Sequence, residues 1–177
     1  MKKGIIASVV ALGLMGGVAH AANSSNTVIF HGAVSTTTCD ITPSQNGQLL
    51  ADSTIYLGTV APNTEGQAKQ FVLKAKDAND AACKALTAQQ TATVAWASAL
   101  LNANGLVAEQ GSIAGDAQVL LNSVNAKTPG AITASANTAD FTADKVIGEG
   151  LKFSATAKGG ATPGTFQTAA SFSVAYK

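Results

Sequence analysis

The chain has 177 residues, of which 46% are hydrophobic and 12% charged, against roughly 25% charged in an average globular domain. Its 11 basic residues are all Lys, and with 10 acids they give a formal charge of +1. A near-neutral chain without Arg lacks the basic face of a nucleic-acid binder and the bidentate forks of a phosphate-handling enzyme. Much of the hydrophobic fraction is Ala, 35 residues that each bury little area.

Lys2 and Lys3 precede an uncharged, mostly apolar run from Gly4 to Val18, and Ala19-His20-Ala21 follows as a small-x-small site. The run is shorter than the roughly 20 residues of a membrane-spanning helix. Residues 1–21 therefore read as a secretory signal peptide. Its removal takes away both Met residues and leaves His31 as the sole His. Export places Cys39 and Cys83 in an oxidising compartment, where two Cys have a single intramolecular pairing. They enclose 43 residues, and closing such a loop is worth about 4 kcal/mol in the chain-entropy model. Neither CxxC nor a paired-His motif is present, so no metal or cofactor is expected.

The mature chain reads as many short strands. At its start Val28, Phe30, Gly32 and Val34 share one face, with Ile29, His31, Ala33 and Ser35 on the other. Further strands are expected over residues 53–60, 70–74, 91–97, 118–121, 145–157 and 165–176. Asn46-Gly47, Pro62-Asn63, Asn104-Gly105, Pro129-Gly130, Gly159-Gly160 and Pro163-Gly164 mark turns between them. The Ala-rich stretch Asp77 to Gln89 predicts a helical turn near Cys83. In the last strand Phe166, Thr168, Ala170, Phe172, Val174 and Tyr176 form a largely apolar face, and small or polar residues form the other. At about 12 residues it is long for a strand, and it needs a neighbour on each side or leaves an exposed edge. The pattern predicts one all-β domain, a sandwich.

These features resemble a chaperone–usher pilin, the repeating subunit of a Gram-negative fimbria. The resemblance rests on the signal peptide, the polar start leading into Thr-Val-Ile-Phe-His-Gly-Ala-Val at 27–34, and the Cys pair. It rests also on Ser-Thr-Ile-Tyr-Leu-Gly at 53–58, the penultimate Tyr176, and Gly164 as fourteenth residue from the end. Residues 84–160 match no motif. The nearest variety is the major subunit of thin adhesive fimbriae of enterotoxigenic enteric bacteria. The resemblance implies an incomplete immunoglobulin-like β-sandwich, with six strands where seven are needed. It implies a signal peptide at 1–21, a donor-strand extension at 22–35 running into the first strand, and a pilin domain at 36–177. Val28, Phe30, Gly32 and Val34 would be the donor residues. Gly164, Phe166, Phe172, Val174 and Tyr176 would mark the C-terminal strand and acceptor groove. The implied partners are identical subunits in a fibre at the cell surface, a periplasmic chaperone and an outer-membrane usher.

Two other functions compete. The subunit could itself bind a host glycan, with Trp96 as stacking residue and Lys127, Lys145, Lys152 and Lys158 meeting acidic sugars. Trp96, however, alternates with Val94 like a core residue. A secreted hydrolase would need a base beside a nucleophile. No GxSxG, HExxH or calcium-loop motif occurs, so no catalytic residue is assigned.

Overall fold

The computed structural model describes residues 39–177. The expected signal peptide and the expected donor residues Val28, Phe30, Gly32 and Val34 lie outside the described residues. Ten strands follow in chain order: β1 (Ile41–Gln45), β2 (Gln48–Leu49), β3 (Lys69–Ala75), β4 (Thr91–Ala97), β5 (Leu106–Val107), β6 (Gln118–Ser123), β7 (Gly130–Ile132), β8 (Thr138–Thr142), β9 (Leu151–Lys158) and β10 (Ser171–Tyr176). One sheet runs β2-β1-β3-β9-β6-β5, with β7 also paired to β6; the other runs β10-β4-β8. Every pairing is antiparallel.

The expected all-β sandwich is present. Burial alternates along β3, β4, β6, β8 and β9, so each sheet turns one face inward. The inward residues meet in an aromatic centre. Trp96 of β4 packs edge-on to Phe153 of β9 at 5.3 Å and to Phe71 of β3 at 6.2 Å. Phe141 of β8 meets Phe153 at 5.4 Å. Leu73, Val94, Ile132, Val146 and Leu151 are fully buried around them, and burying each such side chain contributes about 1.5–3 kcal/mol.

The strand order identifies the sandwich. Immunoglobulin constant-type domains place strands A, B, E and D in one sheet and C, F and G in the other. Here β1, β3, β9 and β6 take the A-B-E-D order, and β4 with β10 takes C-F. Strand G, which would lie on the far side of β10, is absent among the described residues. Six strands, β1, β3, β4, β6, β9 and β10, take these positions; β2, β5, β7 and β8 lie outside that scheme.

Local chemistry explains several elements. Asn46 (φ 51°) and Gly47 (φ 80°) make the two-residue turn between β1 and β2, as an Asn-Gly pair favours. The expected helical turn is α1 (Ala81–Lys84), capped by the Asp80 carboxylate, which accepts from the N–H groups of Ala82 and Cys83. It carries Cys83 into a disulfide with Cys39.

Three strand expectations need correction. Residues 53–60 belong to neither sheet. The strand expected over 145–157 begins only at Leu151, because Ala143–Val146 forms a 3-10 turn and Gly150 (φ 80°) reverses the chain after it. The twelve-residue C-terminal strand is paired as a strand only over Ser171–Tyr176; residues 165–170 run beside a loop.

Candidate functional site

The register of β10 on β4 decides which backbone groups are free. Lys177 and Thr91 exchange both of their N–H···O bonds at 2.9 Å. Antiparallel pairs alternate, so Ser173 and Ala175 also turn their backbone toward β4. The same parity continues upstream. The Ala169 carbonyl accepts from the Ser98 hydroxyl at 2.7 Å. The Gln167 and Thr165 carbonyls accept from the N–H groups of Glu109 and Ala114 at 2.8 and 3.1 Å. One edge of residues 165–177 is thus bonded throughout, first by the 109–114 loop and then by β4. The alternate residues, among them Phe166, Thr168, Ala170, Val174 and Tyr176, face the opposite edge, where no strand lies among the described residues.

A second edge faces it. From Ile55 to Val60 no backbone group is hydrogen-bonded to another described residue. The segment is nonetheless oriented: Ile55 and Leu57 pack against the core, while Tyr56 between them is 78% exposed. Between the two edges runs a groove of about 930 Å³. Its floor combines Phe71, Val119, Leu121 and Ala155 from the larger sheet with Trp96 and Phe172 from the smaller. Asp52 and Glu109 are the charged residues lining it.

Of the residues singled out in the sequence, Phe166 and Phe172 line this groove. Val174 is buried and Tyr176 half-buried further along the same apolar face. The Tyr176 hydroxyl is buried without a partner, and burial pushes its pKa up to about 12. Gly164 lies at the other end, where a Cβ would overlap the Ile113 side chain, so only Gly lets the 109–114 loop close on residues 165–167. The floor residues of the larger sheet and the rim at Ile55 and Leu57 were expected as strand residues but not as parts of a groove. The Ile55/Leu57 alternation was their visible signal.

The candidate glycan contacts are engaged otherwise. Trp96 is 7% exposed and packs in the aromatic centre. Lys127 donates to the Thr91 hydroxyl, and Lys145 donates to the Asn125 carbonyl at 2.7 Å. Lys152 pairs with Glu149, and Lys158 with Glu65. Lys152 lowers the Glu149 pKa, chiefly through the hydrogen bond it donates.

No protein-family model matches the chain. Along its whole length it is 44% identical to the F107 fimbrial protein of Escherichia coli, covering 100% of both chains. Among solved structures, the P pilus rod subunit PapA is similar at 16% identity and a TM-score of 0.49, over 85% of this chain and 100% of that one. A rod-forming chaperone–usher pilus subunit is similar at 17% identity and a TM-score of 0.42, over 88% and 97%. The fold assignment rests on the strand order described above. At 44% identity over its full length to a fimbrial protein, the chain belongs to the fimbrial protein family, as a structural subunit of a cell-surface fimbria.

Proposed function

We propose that the groove beside β10 accepts a strand from the N-terminal segment of another copy, so that subunits join head to tail into the fimbria. The observation that carries this reading is the pair of edges, residues 55–60 and the outer side of residues 166–170 and 174–176, along which no strand lies among the described residues, flanking one apolar floor. Strand addition to an exposed sheet edge is a known recognition mode, with pilins among its users. Residues 22–38 suit the floor: apart from His31 their side chains are uncharged, and Val28, Phe30, Gly32 and Val34 alternate onto one face. Seventeen extended residues reach at most about 60 Å, more than the ~35 Å of the open edge.

The fold also favours another copy over the same chain. Asp40 accepts from the N–H of Lys76, just past the end of β3. That places Cys39 at the end of the sandwich where β4 begins and β10 finishes. A chain filling its own groove and returning to Cys39 would run parallel to β10. A strand from another copy can enter antiparallel, the slightly more stable pairing. The contact does not close on itself, so repetition gives a filament.

Before assembly, the open edge would aggregate if left bare. In this reading a periplasmic chaperone covers it and an outer-membrane usher hands the subunit to the fibre, whose role is attachment to host cells. Phe30→Asp tests the donor role, since it removes a buried aromatic and places a charge on an apolar floor. Cells producing that variant should retain soluble subunit and show no fibres by electron microscopy. Normal fibres would overturn the donor assignment.

A further inference from the structure

Tyr56 is the most exposed of the large hydrophobic side chains on the described surface, and it stands on the rim of the groove. Its neighbours Ile55 and Leu57 point inward, so Tyr56 rises on the outer face of its edge. Across the groove, the outward residues of the opposite edge are small: Ser171, Ser173 and Ala175. An incoming strand that buries Phe30 and Val34 turns Ile29 and His31 to this same outer face.

We infer that Tyr56 is a clamp for the inserted strand, packing across it against Ile29 and His31 of the neighbouring copy. The inference rests on the donor-strand reading and extends it to the outer face of the joint. Directly opposed residues of paired strands have Cβ atoms about 4.5–5.5 Å apart, and diagonal ones lie within reach of an aromatic ring. The small residues on the β10 side leave room for Ile29 and His31 to lean toward the ring. Within the subunit Tyr56 is 78% exposed, so most of its aromatic surface is free to gain a packing partner when the groove is filled.

The test compares fibres of wild-type, Tyr56→Phe and Tyr56→Ala subunits, assembled in cells and purified. Their dissociation in guanidinium is followed by the appearance of monomer. An aromatic pair of ordinary strength predicts that Tyr56→Ala fibres dissociate about three- to tenfold faster, with Tyr56→Phe close to wild type. In an Ile29→Ala/His31→Ala background the Tyr56→Ala effect should vanish. Monomer unfolding should be the same for all three. Equal dissociation rates would overturn the clamp while leaving the donor reading intact. Destabilised monomer would overturn it by assigning Tyr56 a role within the subunit. Loss of glycan binding at unchanged fibre stability would assign Tyr56 to a carbohydrate instead. If fibres form despite Phe30→Asp, the donor reading fails and the clamp with it.

Discussion

Removing the disulfide should weaken the subunit and loosen one side of its groove together. Cys39 and Cys83 are 5% and 1% exposed and enclose 43 residues, comprising β1, β2, the Ile55–Leu57 rim and β3. Freeing a loop of that length raises unfolded-state entropy by an amount worth about 4 kcal/mol at 25 °C. The Cys39→Ala/Cys83→Ala pair avoids burying two unpartnered hydroxyls, as Ser would. With a guanidinium slope of a few kcal/mol per M, the unfolding midpoint of the purified subunit should fall by about 1 M. The same change should reduce fibre yield, because the bond holds the loop that carries one groove edge. Equilibrium unfolding by tryptophan fluorescence reads the first effect, since Trp96 sits in the aromatic centre. A midpoint shift below about 0.2 M would refute the reasoning that loop closure at this site stabilises the fold.

Two further outcomes follow from the groove's ends. Gly164→Val drives a side chain into Ile113 and should cost roughly 1–3 kcal/mol in thermal unfolding; adding Ile113→Ala should recover part of it. Tyr176 is neutral in the fold up to a pKa of about 12, against an ordinary value of 10.0. The folded state thus binds a proton that the unfolded chain releases first. The stability this gives is complete below pH 10 and is lost as the pH climbs through 12, so Tyr176→Phe should flatten that alkaline decline in a pH series of melts.

Much of the sandwich was legible because its central strands carry their own period. Ala92, Val94 and Trp96 alternate along β4, and Phe71 and Leu73 along β3, so burial is encoded residue by residue. β8 was not legible: Phe141 is the one large apolar residue among Thr, Ala and Asp, and β4 supplies its partners. Residues 53–60 and 165–170 looked like strands because they alternate, but pairing depends on what lies alongside. On the inner side of 165–169 that neighbour is the 109–114 loop and Ser98, held there by tertiary packing and the bare Gly164. On the outer side, and along Ile55–Val60, the neighbour is missing from the described residues. Alternation without a ladder is what a strand position awaiting its partner leaves in a sequence. The groove floor escaped the sequence reading for the complementary reason: Phe71, Trp96, Val119 and Leu121 come together only when the two sheets stack.

The central claim is that a neighbouring copy completes the sheet beside β10. Amide hydrogen exchange at residue resolution, on purified monomer and on fibres, tests it most directly. Ser173 and Ala175 bond to β4 in the single subunit, so their amides should be slow in both forms. Val174 and Tyr176 face the open edge, and their amides should exchange readily in the monomer and become protected in the fibre. Equal exchange of Val174 and Tyr176 in the two forms would contradict strand addition at this edge.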